Sequence, residues 1–231
     1  MPTRVEAIVL ALMFMLGAIV FSLWPQIDLR ITSSFYVPGR RFPWGETWPA
    51  EAVYWFVWYG SRAAVGSVLL LWLTSLFVRR GWLATRRRWF GFLALSFALG
   101  PGLIADQLLK NHWGRARPEQ IVQFGGEKQF SPALQPSDQC ARNCSFVSGH
   151  ATGAFALMAF GWFAASPRRR NWLLAATVAG LFVGAGRVVQ GGHFASDVFF
   201  AFYAVWLGNL LAWLILRATG KLPSAIPPRL A

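Results

Sequence analysis

The chain has 231 residues, of which 55% are hydrophobic and only 13% are charged, whereas about 25% of the residues of a soluble domain are charged. The length favours a single domain over residues 1–231, and the composition points to a membrane protein. The formal net charge of +13 does not indicate a nucleic-acid partner, because the arginines form short blocks between apolar segments and no nucleic-acid-binding motif accompanies them.

Six apolar segments are long enough to cross a bilayer as helices, which takes about 20 residues each. They run over residues 5–24, 52–78, 89–109, 149–165, 171–189 and 194–217. We therefore expect an all-α polytopic membrane protein with six transmembrane helices in one bundle. The first segment is expected to be retained, because no convincing small-residue cleavage site of a signal peptide follows it.

Arginine placement predicts the orientation of these segments. Residues 79–88 contain five arginines and residues 168–170 contain three, without an acidic residue in either stretch. Short positively charged loops face the cytoplasm, so we expect both termini on the cytoplasmic side of the inner (plasma) membrane. The segment over residues 26–49 is rich in aromatic residues and is expected in the outer headgroup layer, where Trp and Tyr accumulate.

Polar residues concentrate in three short stretches at the expected outer ends of helices, and these stretches contain all three histidines. They read K-N-H-W-G-R-A-R-P over residues 110–118, C-S-F-V-S-G-H over 144–150 and G-R-V-V-Q-G-G-H-F-A-S-D over 186–197. Because these helix ends face the same side, the stretches can form one site on the periplasmic or outer face. A lone histidine is usually structural, but the shared location of all three indicates a chemical role.

The first stretch offers two cations at one helix end. Lys110 and Arg117 are seven residues apart, so a helix continuing to Pro118 would present both on one face. Lysine as a point charge and arginine as a two-pronged donor suit a phosphate group. A basic collar at the edge of the bilayer explains the pair equally well.

The second stretch leads directly into the fourth apolar segment. A helix beginning at Gly149 would direct unpaired N–H groups and its positive dipole end towards an anion. Ser148 can donate its hydroxyl to such an anion, although a simple N-cap role is the alternative. Capping alone gives no reason for the adjacent His150.

The third stretch combines an arginine, an imidazole and a carboxylate. Gly191 and Gly192 are expected to end the preceding helix just after Arg187. A spacing of four residues places His193 and Asp197 on one helical face. These residue types suit an anion clamp, a nucleophile or base, and a group that orients the imidazole.

The pattern K-x6-R-P, S-G-H and R-x5-H-x3-D resembles the type 2 phosphatidic acid phosphatase family, which is related to the vanadium haloperoxidases. Six helices with outward-facing motifs are similar to its membrane branch. Two positions depart from the family pattern: Val147 replaces a proline before S-G-H, and Gly186 replaces a serine before the arginine. The second change removes one phosphate donor.

The resemblance implies a role for each motif residue. His193 would attack phosphorus and form a phosphohistidine, Asp197 would orient its ring, and His150 would protonate the leaving oxygen and then activate water. The phosphate oxygens would be held by Lys110, Arg117, Ser148, Gly149 and Arg187. No metal and no cofactor is implied. The chemistry requires His193 neutral and His150 protonated.

Other polar residues have two or more alternative roles. His112 and Arg115 would contact the substrate headgroup or simply lie at the interface. Asp106 would pair with Lys110 or with Arg62. For Cys140 and Cys144, an oxidising outer compartment favours a disulfide, with free thiols and a zinc site as alternatives.

The expected activity is hydrolysis of a phosphate monoester or diphosphate on a membrane lipid, with the lipid bilayer as the environment. The aromatic outer segment and the C-x3-C loop are similar to the lipid A phosphatases within the family, so lipid A is the expected substrate. Undecaprenyl diphosphate and phosphatidylglycerophosphate are alternatives. A non-enzymatic anion-binding protein or transporter is the alternative from another functional class. In such a protein, His150 and His193 would have no chemical use.

Overall fold

The computed structural model describes residues 3–223, so the ends of the predicted domain, residues 1–2 and 224–231, lie outside it. The described chain is helical. Its α-helices are α1 (Arg4–Leu23), α2 (Gln26–Ser33), α3 (Trp48–Phe77), α4 (Trp82–Thr85), α5 (Arg87–Phe97), α6 (Gly149–Phe155), α7 (Ser166–Val189) and α8 (Ala195–Ala218). A π-helix over Ala98–Lys110 continues α5, and a 3-10 helix over Ala156–Gly161 continues α6. Short 3-10 helices lie at Pro43–Glu46, Pro118–Gln120 and Val122–Phe124.

Five helices of the described chain are long and apolar enough to cross a membrane. They are Arg4–Leu23, Trp48–Phe77, Arg87–Lys110, Pro167–Val189 and Ala195–Ala218. Each coincides with one of the predicted apolar segments, which supports an all-helical membrane protein. The predicted segment over residues 149–165 does not form a sixth helix of this length.

That segment is short because its helical part already ends at Gly161. Helix α6 has seven residues and the following 3-10 helix has six, which together extend roughly 22 Å, less than the ~30 Å of the hydrocarbon layer. Its side chains pack inside the bundle, with Ala151, Phe155 and Ala159 all fully buried. A side chain at Gly161 would overlap with Trp172 of α7. Apart from Leu157, which is exposed, the segment is therefore largely enclosed by protein.

Helix α8 is the centre of the bundle and contacts α1, α2, α5, α6, α7 and the π-helix. Its closest neighbour is the π-helix, where a side chain at Gly208 would overlap with the backbone of Gly100. Small residues of this kind allow two helix backbones to approach closely in a membrane. This contact fixes the start of α8 relative to Lys110 at the end of the π-helix.

A cluster of aromatic and apolar side chains closes the end of the bundle that carries the three motifs. Phe42, Ile121, Phe124 and Phe194 are buried there, and Tyr36 packs against them. Some aromatic residues of the segment predicted to lie in the headgroup layer are therefore buried, and others are exposed. Phe42 lies in the protein interior, whereas Trp44 and Trp48 are 60% and 80% exposed.

Candidate active site

One cavity of about 600 Å³ gathers most of the polar residues that the sequence singled out. Its walls come from α3 between Tyr54 and Leu69, the end of α5, the π-helix, α6 and its 3-10 extension, and the last turn of α7. The lining residues that carry chemistry are Tyr54, Arg62, Asp106, Lys110, Arg117, Asn143, Gly149, His150, Arg187 and His193.

Lys110 and Arg117 both line the cavity, but the predicted helical path between them is wrong. The π-helix ends at Lys110, and Gly114 turns the chain with a φ of +73°, which favours glycine. Asn143 then joins the two cations. Lys110 Nζ donates to its side-chain oxygen at 2.9 Å, and Arg117 donates to its carbonyl at 3.1 Å.

The start of α6 brings a histidine and a backbone N–H to the same cavity. Ser148 is fully buried and its oxygen accepts from the Ala151 N–H at 3.4 Å, as an N-cap does. Gly149 and His150 line the cavity, whereas Ser148 lies behind them. The ring of His150 lies 4.3 Å from that of Tyr54, and its Nε2 is buried without a hydrogen-bond partner among the described residues. A buried polar atom of this kind calls for an explanation.

Arg187 approaches the cavity from the last turn of α7. It is only 9% exposed, its guanidinium carbon lies 4.7 Å above the ring of Tyr54, and it donates to the side chain of Gln190. Helix α7 ends at Val189, as the diglycine predicted. A side chain at Gly192 would overlap with Arg187, so this glycine lets the chain pass the guanidinium.

His193 lies just before α8 and not on it, so the predicted helical pairing with Asp197 is wrong. Its Nδ1 lies 2.7 Å from the carbonyl oxygen of Ser145 and 3.6 Å from Asp197 Oδ2. Only the first distance is a hydrogen bond. A carbonyl can only accept, so Nδ1 carries the proton and Nε2 keeps its lone pair. Burial lowers the pKa of His193 to about 3, which keeps the ring neutral.

Asp197 is fully buried and its oxygens are occupied by other donors. It accepts from Arg115 at 2.5 Å, from the Ser145 hydroxyl at 2.5 Å and from the Phe194 N–H at 2.8 Å. Ser145 therefore stands between the carboxylate and His193, since its hydroxyl donates to one and its carbonyl accepts from the other. Spacing in the sequence carried no signal for this serine.

The two predicted headgroup contacts are not in the cavity. Arg115 is fully buried and forms ion pairs with Asp28 at 2.8 Å and with Asp197 at 2.5 Å, so it is closed to a headgroup. His112 is exposed outside the cavity, with its Nδ1 2.9 Å from the carbonyl of Gln107.

Two further expectations concern side chains around the rim. Cys140 and Cys144 form a disulfide, and the Cys144 N–H donates to the Lys110 carbonyl at 2.9 Å.

Arg62 and Asp106 line the cavity from α3 and the π-helix. The predicted ion pair of Asp106 is not formed with any cation of the described chain. Arg62 instead stacks over the ring of Trp58 at 3.7 Å.

Comparison with known proteins gives consistent relatives. A lipid A 4'-phosphatase of Francisella tularensis subsp. novicida is 34% identical over 200 residues, which is 86% of this chain and 90% of the relative. A lipid A 4'-phosphatase of Rhizobium leguminosarum is 37% identical over 53% of this chain and 51% of its own. A lipid A 1-phosphatase of Rhizobium etli is 37% identical over 48% of this chain and 43% of its own. No solved structure matches significantly.

The sequence profile of the PAP2 superfamily matches residues 89–223. This range begins in α5 and contains all three polar motifs, whereas α1, α2 and α3 precede it. The match covers more than half of the chain, and the Francisella relative extends it over most of the remainder. The chain belongs to the PAP2 superfamily.

Proposed function

We propose that the protein hydrolyses a phosphate ester or diphosphate on a membrane lipid through a phosphohistidine, and that lipid A is the substrate. The observation that carries the proposal is the cavity itself. Two imidazoles, His150 and His193, line it together with the cations Lys110, Arg117 and Arg187. None of these three cations forms an ion pair with a carboxylate among residues 3–223, so they suit the oxygens of a phosphoryl group, and the imidazoles supply a nucleophile and a proton donor.

In the first step, His193 Nε2 forms a bond to phosphorus as the bond from phosphorus to the lipid oxygen breaks. The Ser145 carbonyl holds the Nδ1 proton at 2.7 Å, so the attacking nitrogen keeps its lone pair. The departing oxygen takes a proton from His150. In the second step His150 accepts a proton from water, which attacks phosphorus and releases phosphate from His193.

His150 becomes a proton donor only when substrate is bound. Burial favours the neutral ring, and so do the nearby cations Arg187, Lys110 and Arg62. An arriving phosphate brings negative charge between these cations and favours the protonated ring. The unpartnered Nε2 is then free to donate to the leaving oxygen. The same cations hold the oxygens on which charge gathers in the transition state.

Two observations support lipid A as the substrate. The relative that aligns with most of this chain is a lipid A 4'-phosphatase, which favours the 4'-phosphate as the one removed. The apolar walls of the cavity continue down α3 as far as Leu69, 15 residues beyond Tyr54. That distance is roughly 22 Å along a helix, deep enough to admit part of an acyl chain.

We further propose that the protein is one membrane-embedded domain whose termini are cytoplasmic and whose cavity opens on the outer face. Arg169 pairs with Glu6 at 2.5 Å, and Arg88 donates to the carbonyl of Leu222 at 3.4 Å. Both ends of the described chain thus lie beside arginine-rich loops, which the positive-inside bias assigns to the cytoplasm. This arrangement needs an even number of crossings, with the enclosed segment Gly149–Gly161 as the sixth.

The test is phosphate release by the purified protein in detergent from lipid A, undecaprenyl diphosphate and phosphatidylglycerophosphate. We expect release from lipid A at the 4' position, unaffected by a chelator. His193→Gln and His150→Gln should each abolish it, while His112→Gln, which changes the third histidine outside the cavity, should keep it. Release from another lipid alone would refute the substrate, and turnover by His193→Gln would refute the mechanism.

A further inference from the structure

Arg115 is the largest fully buried side chain of the described chain, and it lies behind the proposed nucleophile. One nitrogen of its guanidinium contacts Asp197 at 2.5 Å, and another contacts Asp28 at 2.8 Å. The two acids are distant in the sequence, since Asp28 lies on α2 and Asp197 in the first turn of α8. Arg115 joins them through its rigid fork.

Asp28 also holds the start of α8 directly. One of its oxygens accepts from the Ser196 N–H at 2.9 Å, and the other accepts from the Ser196 hydroxyl. Asp197 accepts from the Phe194 N–H at 2.8 Å. Both carboxylates therefore satisfy N–H groups at the positive end of a helix, where negative charge is favoured.

This network reaches His193 through Ser145. The Ser145 N–H donates to the Arg115 carbonyl at 2.8 Å, and the Ser145 hydroxyl donates to Asp197 at 2.5 Å. The carbonyl of the same residue accepts from His193 at 2.7 Å. A shift of Arg115 or Asp197 therefore moves the group that orients the imidazole.

Stability alone gives little reason for such a network. A buried ion pair costs much of its attraction in lost hydration, and apolar residues of similar volume often serve equally well. The network does, however, fix several groups in one geometry. The network contains two carboxylates and one guanidinium, so it also carries one net negative charge. This charge lies behind the ring of His193, which becomes cationic when its Nε2 bonds to phosphorus.

We propose that Asp28 and Arg115 are positioning residues for phosphoryl transfer, which act on His193 through Asp197 and Ser145. The inference rests on the proposed function and extends it, because Asp28 lies outside the range matched by the family profile. Helix α2 thereby belongs to the catalytic apparatus and is more than a segment of the outer surface.

The test compares Asp28→Asn with the wild-type protein. Asparagine keeps the size and one acceptor oxygen for the Ser196 N–H, but the NH2 group that replaces the other oxygen cannot accept from Arg115 or from the Ser196 hydroxyl. We expect kcat to fall by about 10- to 100-fold, as a small displacement of a reacting group does, with KM changed by less than about twofold. Arg115→Lys, which keeps the charge and loses the fork, should lower kcat by a similar factor.

The matched control is Glu6→Gln, which removes the ion pair that ties α1 to Arg169 at 2.5 Å. Thermal unfolding in detergent shows that each variant is folded; should Asp28→Asn not fold, Arg115→Lys alone decides. The inference is overturned if the folded variant keeps its kcat, if only KM changes, or if Glu6→Gln loses as much kcat.

Lipid A and a soluble aryl phosphate are assayed in parallel. Hydrolysis of the aryl phosphate without that of lipid A refutes the proposed substrate, while the kcat of Asp28→Asn on the aryl phosphate still tests the positioning role. A wild-type protein that hydrolyses neither refutes both proposals.

Discussion

Replacing Lys110 with methionine should inactivate the protein and stabilise it at the same time. Lys110 is only 6% exposed, and Arg117 and Arg187 lie near enough to repel it, with Asp106 and Asp197 offsetting part of this repulsion. Its Nζ donates to Asn143 and, at 3.5 Å, to the Cys144 carbonyl, and no carboxylate of the described chain pairs with it.

The two magnitudes have different origins. A lost donor to the transition-state oxygens lowers kcat about 100- to 1,000-fold. An apolar side chain of similar length removes a buried cation and its repulsion, which we expect to stabilise the fold by about 1–2 kcal/mol. For a chain of this size, that gain raises Tm by roughly 2–8 °C. Asn143 is exposed, so water replaces the lost hydrogen bond.

Phosphate release from lipid A and thermal unfolding in the same detergent measure both effects. Lys221→Met, which changes an exposed lysine near the other end of the bundle, should alter neither quantity. Inorganic phosphate should raise the Tm of the wild-type protein more than that of Lys110→Met. A ligand stabilises the folded protein only to the extent that it binds, and the variant lacks one of the proposed phosphate-binding cations. A variant that loses stability, or that keeps a tenth or more of the wild-type kcat, would refute the reasoning.

Two further predictions use other features of the site. Because burial lowers the pKa of His193 to about 3, its ring should stay neutral well below the ordinary value of about 6.5, and its ¹⁵N resonances should not titrate between about pH 5 and 8; a midpoint in that range would contradict the described burial. Gly114→Ala should prevent folding, because the φ of +73° disfavours alanine and its side chain would overlap with the Ser137 backbone. Gly39→Ala, with a φ of +78° and open space around it, should cost only about 1–2 kcal/mol in thermal unfolding, and equal losses for the two variants would disprove the steric argument.

Much of the helical architecture could be predicted, because apolar length is a local property of the chain. Five of the predicted segments match long helices, and the cations and histidines of the three motifs, apart from His112 and Arg115, line one cavity. The sixth segment differs because its small residues pack inside the bundle and its helical part ends at Gly161. Hydropathy measures how apolar a segment is, and it does not distinguish burial by lipid from burial by protein.

The contacts that orient the site could not be predicted from spacing. Asp197 lies four positions after His193, but the helix begins only at Ala195, so the i,i+4 rule does not apply. Asp28 lies 87 residues before its partner Arg115, in a segment whose composition indicated only a membrane interface. An ion pair across such a separation depends on where α2 lies in the folded protein, so composition cannot predict this ion pair.

The enclosed segment Gly149–Gly161 has a consequence for how the chain enters the membrane during synthesis. Insertion machinery retains a stretch according to its own apolar length, and this one is too short to be held by itself. The longer helix α7 follows almost at once, with arginines at its start that resist translocation. The two would then enter as a hairpin, so His150, the proposed proton donor, would reach its place only after the helix carrying Arg187 has been made.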